Sequence, residues 1–144
     1  EALVFVVLHG LDELVGKIES ILSQEPVDIH VNPTFLPEII ANKYDELWTD
    51  ERIDRFVKVL ADNKIALEIN ARYRIPTEKI LRKAKVAGVK FSFGTNNTGA
   101  DLGTLDYCFE MQQKLGLTYK DMFMPKKNKD KKVLTNGLPK KITG

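Results

Sequence analysis

Four places in the 144-residue chain put a side chain able to bind a ligand where an apolar, β-type run stops. They are Val6-Val7-Leu8-His9-Gly10, Ile29-His30-Val31-Asn32-Pro33, Leu67-Glu68-Ile69-Asn70-Ala71-Arg72 and Phe91-Ser92-Phe93-Gly94-Thr95-Asn96-Asn97-Thr98. An imidazole can ligate a metal, and amides and hydroxyls can donate and accept hydrogen bonds with a small molecule. Arg72 and Arg74, just past the third run, are the anion-binding candidates, because a guanidinium grips phosphate or carboxylate in a fork. A surface ion pair is their plainer alternative. Asn96, Asn97 and Thr98 would either touch a ligand or form the turn and cap of the next helix. His30, between Ile29 and Val31, reads as a hydrogen-bonded interior residue, and Glu68 as a strand carboxylate paired with Lys90.

The elements that must position these groups follow from periodicity. Leu3 to Leu8 reads as a strand, apolar on both faces. Leu11, Leu14, Val15, Ile18, Ile21 and Leu22 recur at helical spacing, so a helix is expected over 11–24. The second unit pairs a strand over 27–32 with a helix capped by Thr49, with Asp50 and Glu51 in its first turn and Ile53, Phe56, Val57 and Leu60 as its apolar stripe. The third runs from Ile65 into a helix opened by Pro76, with Ile80, Leu81 and Ala84 inward and Gly88 as its stop. The fourth runs from Val89 to Gly94, then a helix from about Asp101 to Leu115 closed by Gly116, with a short turn over 119–123.

Alternating strands and helices imply an α/β fold with parallel strands and crossover helices. Strand faces argue for one of the two architectures this allows. Asp28, His30 and Asn32 alternate with Val27, Ile29 and Val31, and Lys90 and Ser92 alternate with Val89, Phe91 and Phe93. Strands of an open sheet covered on both sides read as continuous apolar runs, so one polar face favours a (βα)4 arc of a distorted TIM-like barrel, with an open doubly wound sheet as the alternative. Four units leave two sheet edges and an apolar first strand to be covered, so a homo-oligomer is expected.

Composition excludes some classes of function. Cys108 is the only cysteine and lies in a helical pattern beside Phe109, which suits a buried structural thiol and removes disulfides. The run from Ala2 to Leu8 is too short to cross a bilayer. The net charge of +2 hides a basic tail, 126–144, with seven lysines against Asp130; the body, 1–125, is left at about −4. No aromatic is interleaved with those lysines, so a solvated and partly disordered terminus is expected, not a nucleic-acid arm. Asn136-Gly137 would make a tight turn within it. Neither glycine-rich phosphate motif occurs, nor a serine nucleophile elbow, nor a His-x-x-x-His pair.

Taken in order, the strand ends resemble the C-terminal half of the PHP (polymerase and histidinol phosphatase) domain, a distorted barrel of metal-dependent phosphoesterases. The resemblance covers about residues 3–115 and rests on Leu67-Glu68-Ile69-Asn70 and on the run from Val89 to Thr98. Where the family carries Gly-Ser-Asp-x-His, with Asp and His as metal ligands, this chain has Asn96 and Thr98; where the family has a His-Pro ligand it has Asn32-Pro33. His9 matches the remaining ligand position. The resemblance therefore implies a phosphoesterase scaffold with impaired binding of divalent metal (Zn, Mn or Fe). Amides and hydroxyls bring neither the charge nor the nitrogen donors that hold such ions and activate water between them. The rival expectation is a non-catalytic module whose Asn/Thr pocket, with Arg72, binds a small anionic, phosphate-containing or polyhydroxylated ligand. A third is an oligomeric scaffold.

Overall fold

A computed structural model describes residues 2–96 and 103–125, with side chains from Gly10 onward. The chain opens with helix α1, Ala2–Gln24. The strand expected over 3–8 is therefore absent, and His9 lies inside a helix instead of at a strand end. The physical reason is continuity. Nothing between Leu8 and Leu11 breaks a helix decisively, and extending an existing helix adds one hydrogen bond per residue fixed. The buried stripe is also narrower than its periodicity suggests: Leu11, Val15 and Leu22 are buried, whereas Leu14 is 40% and Ile21 54% exposed. α1 packs on a later helix, so the argument for a second copy covering a bare first strand loses its basis.

Strand β1, Ile29–His30, is only two residues long. Two single-turn helices that periodicity did not reveal follow it, α2 (Glu38–Ala41) and α3 (Tyr44–Leu47). α4 spans Asp50–Asn63, with the Thr49 side chain accepting from the Arg52 N–H and with Asp50 and Glu51 in the first turn, as its sequence requires. Lys64 ends it in the left-handed region at φ 57°. Strand β2, Ala66–Asn70, leads to α5, Glu78–Val86. Thr77, not Pro76, occupies the N-cap position of that helix. Pro76 instead lies in the preceding loop, after a cis bond from Ile75, and its carbonyl accepts from the Tyr107 hydroxyl at 2.6 Å. Strand β3 is Phe91–Gly94 and α6 is Asp106–Leu115, stopped by Gly116 at φ 58°. A 3₁₀ turn, Tyr119–Asp121, follows. The basic tail, with Asn136-Gly137, and the start of the fourth helix as read from sequence lie outside the described residues. Among the described residues no helix is long and apolar enough to cross a membrane.

The described residues thus form a small open sheet of three parallel strands among helices, in the order β1-β2-β3, and not a four-unit barrel arc. His30 pairs with Leu67, and Leu67 with Phe91, while Glu68 pairs with Ser92 and Asn70 with Gly94. Side-by-side residues point to the same face, so His30 shares its face with Leu67 and Phe91, and Ser92 lies on the other. The polar residues of β1 and β3 therefore do not combine into one wet barrel interior. His30 instead meets the Phe56 ring edge-on at 5.6 Å. The core beneath this face includes Trp48, Phe56, Leu60, Leu67, Ile80 and Phe91, all buried.

Arg52 ties the layers together. Only 7% exposed, it donates through Nε and Nη2 to the two carboxylate oxygens of Asp12 at 2.7 and 3.0 Å and through Nη1 to the Leu47 carbonyl at 2.6 Å. One side chain thereby joins α1, the end of α3 and α4. Arg52→Ala should lower unfolding stability by about 1–2 kcal/mol in urea, because it strands the Leu47 carbonyl and loses charge-assisted bonds to Asp12, whose own carboxylate stays solvated. Lys58→Ala, which removes only an exposed pair with Asp62 on α4, should cost below about 0.5 kcal/mol.

Candidate functional site

The three strands end at the same edge of the sheet, and there the chain turns sharply. Asn32, Thr34, Arg74 and Asn96 all have positive φ (47°, 63°, 53° and 46°). Asn tolerates that region, whereas β-branched Thr does not adopt it readily. Thr34 is held by its surroundings: it is buried, hydrogen-bonded to the Tyr44 hydroxyl, and accepts at its carbonyl from Trp48 Nε1 at 3.3 Å.

At the centre of this edge sits Asn70, a polar side chain with no exposed surface. Its Nδ2 donates to Asn32 Oδ1 at 3.0 Å and to Glu68 Oε2 at 3.2 Å, and its Oδ1 accepts from the Tyr73 backbone N–H at 3.1 Å. Asn96 Nδ2 donates to the same Asn32 oxygen at 3.2 Å. The left-handed turn at Asn32 aims its backbone N–H at Glu68 Oε2, 2.7 Å away. Side chains thus link the ends of all three strands. Of the residues singled out from sequence, Asn32, Asn70 and Asn96 come together here. Arg72 joins them by donating to the Asn96 carbonyl at 3.2 Å. The His9 side chain, Asn97 and Thr98 lie outside the described residues.

Of the two readings open for Arg74, the ion pair holds: it is taken up by Glu110 at 2.6 Å and lies over the Tyr107 ring at 4.7 Å. Glu68 does not pair with Lys90, whose ammonium donates to the Lys120 carbonyl at 2.8 Å. Asn70 has its amide donors and its oxygen engaged within the network, so it braces the site. The polar atoms with no partner among the described residues are Asn32 Nδ2, Asn96 Oδ1 and Glu68 Oε1, together with much of the exposed Arg72 guanidinium. Sequence alone did not single out the aromatic wall beside them. Phe35 and Tyr73, 45% and 41% exposed, lie with ring centroids 4.8 Å apart and planes tilted at 60°, and Arg72 lies 5.6 Å above the Tyr73 ring. A single aromatic in each of two loops leaves no periodic signal, and only the sheet brings the loops together.

The titratable neighbours are structural. Burial against Phe56 lowers the pKa of His30, with Glu68 opposing the shift in part. Burial pushes the Cys108 thiol up to about 11, and its Sγ lies 3.1 Å from the Ile69 carbonyl, as expected of an inert thiol. A cavity of about 560 Å³ lies elsewhere, between α4 and α5, over Val57 and Val86. Its rim cations are already paired, Lys83 with Asp54, Lys58 with Asp62 and Arg82 with Glu78.

Comparison with protein families, with characterised proteins and with solved structures finds no match to this chain. The site must be read from its own chemistry. Among the described residues no three His, Cys, Asp or Glu side chains converge as a metal-binding group. Among the described residues, the candidate ligands at the strand ends are amides and one carboxylate, whose Oε2 already accepts two N–H groups. That set does not fit a cluster of transition-metal ions, which needs several charged or imidazole donors.

The bracing role of Asn70 has a measurable consequence. Asn70→Ala should destabilise the fold by about 2–4 kcal/mol, because it opens a cavity, leaves the Tyr73 N–H without its acceptor and removes one of the two donors to Glu68 Oε2 and to Asn32 Oδ1. Asn96→Ala, at the half-buried periphery of the same network, should cost about 1 kcal/mol or less. Chemical denaturation of both variants reports the contrast.

Proposed function

We propose that the strand-end site is a binding site for a small polyhydroxylated molecule carrying an anionic group, in the class of sugar or polyol phosphates. The observation that carries this reading is the buried Asn70 carboxamide, which takes its bonds from inside the network and leaves polar atoms of its neighbours without a partner among the described residues. Asn32 Nδ2 and Arg72 then offer donors, and Asn96 Oδ1 and Glu68 Oε1 offer acceptors. A hydroxyl both donates and accepts, so a polyol can satisfy a mixed set that a bare anion or an apolar ligand cannot. The anionic group belongs beside Arg72, whose planar fork matches phosphate oxygens. The tilted Phe35–Tyr73 pair supplies apolar surface for the carbon face of a ring.

Isothermal titration with D-ribose, ribose 5-phosphate and inorganic phosphate tests the reading. Ribose 5-phosphate should bind more tightly than either fragment. Arg72→Gln should weaken it about tenfold, or ~1.4 kcal/mol, while leaving D-ribose little changed. Absence of binding by all three at millimolar concentration would sink the proposal.

A second reading, a phosphoesterase scaffold of PHP type that binds metal weakly, is supported by one observation. Asn32 and Asn96, which correspond to ligand positions of that family, meet at one sheet edge. On this reading the purified chain holds fewer than two transition-metal ions after dialysis. Asn32→His, Asn96→Asp and Thr98→His together raise that number, and elemental analysis reads both.

A further inference from the structure

We infer that Glu68 is the specificity-determining residue of the proposed site: its Oε1 accepts a hydroxyl hydrogen from the ligand, and Gly94 reserves the space in which that oxygen sits. The inference rests on the sugar-phosphate reading and names the group that makes the site select a hydroxyl.

Glu68 lies in the central strand, half-buried, and its two carboxylate oxygens have different surroundings. Oε2 holds the Asn32 backbone N–H at 2.7 Å and Asn70 Nδ2 at 3.2 Å. Oε1 has no donor among the described residues. No buried side-chain nitrogen or oxygen among them lacks a hydrogen-bond partner, so this unpartnered oxygen must be reached by solvent. The lysine that strand alternation offers as a partner is turned away to the Lys120 carbonyl. Glu68 is therefore fixed by one oxygen and presented by the other.

Gly94 has a specific part in this. A Cβ at that position would lie 1.8 Å from Glu68 Oε1 and 2.5 Å from its Cδ, so any larger residue collides with the carboxylate. The backbone there is not left-handed; glycine is needed for room and not for conformation. A carboxylate oxygen accepts and does not donate, so it bonds a hydroxyl strongly and repels a phosphate placed at the same point. Arg72 and Glu68 thus divide the ligand between them, anionic end to the guanidinium and hydroxyl-bearing end to the carboxylate. A site built around such an acceptor discriminates sharply against a ligand lacking the hydroxyl.

The test uses the whole chain with ribose 5-phosphate and inorganic phosphate as probes, read by titration calorimetry. Glu68→Gln can keep its bonds to Asn32 and Asn70 through the amide oxygen while turning an N–H₂ donor outward. It should weaken ribose 5-phosphate at least tenfold and leave inorganic phosphate unchanged or tighter. Gly94→Ala should weaken ribose 5-phosphate similarly, although Glu68 is still present, because the methyl displaces the carboxylate. Should either variant fail to fold, amide chemical shifts of the unaltered chain decide. Those of Asn32 and Gly94 should move with ribose 5-phosphate and not with inorganic phosphate. Unaltered affinity in both folded variants, or equal shifts with the two probes, overturns the role of Glu68 while the site itself stands. Failure of the unaltered chain to bind either probe removes both.

Discussion

The sheet edge depends on a single buried carboxamide at the end of its central strand. β2 is hydrogen-bonded on both sides, and its apolar residues are wholly inside. A polar side chain at its terminus is tolerated only if its bonding groups are met, since an unmet buried amide costs about 1–3 kcal/mol. Asn70 meets them with Asn32 from the β1 loop, Glu68 from its own strand and Tyr73 from the following turn. The same bonds that make its burial tolerable fix the two flanking loops. Stability and site geometry are here one problem, and Arg52 does for the helical layer what Asn70 does for the edge.

That arrangement separates residues that brace from residues that present. Asn70 and the Oε2 oxygen of Glu68 are engaged within the network, whereas Asn32, Asn96, Arg72 and Glu68 each keep polar atoms without a partner among the described residues. The positive φ values at Asn32 and Asn96 belong to the same design, because each turns the chain over the strand end so that an amide can face its neighbour. Asn is suited to this role, combining tolerance of the left-handed region with a short, doubly functional side chain. Asn32 and Asn96, two of the residues that depart from the metal-ligand pattern of the PHP resemblance, are thus ones that this hydrogen-bond network uses. A carboxylate at position 96 could not donate to Asn32.

The largest departure from the sequence-based expectation concerns the first segment. Ala2 to Leu8 is apolar at every position and therefore carries no period; a uniformly greasy run is compatible with a strand or with a buried stretch of helix. The following residues, Leu11 onward, do carry helical spacing, and helix propagation through Gly10 is cheaper than starting a separate element. The helices α2 and α3 escaped notice for a related reason: four residues complete barely one turn, too few for a pattern to repeat.

The sequence by itself determined the capped helix at Thr49, the parallel strand-helix alternation from residue 27 onward, the buried Cys108 and the convergence of Asn32, Asn70 and Asn96 at strand ends. Each of these follows from local spacing and from the fact that parallel strands deliver their carboxyl ends to one edge. Only the tertiary structure decided that His30 faces Phe56 while Ser92 faces the opposite side, that Arg74 is taken by Glu110 and Arg72 is not, and that Glu68 turns to Asn32 and away from Lys90. Those outcomes depend on strand register and on loop direction. A shift of one residue in pairing exchanges the faces, and no local signal in this chain sets that register in advance.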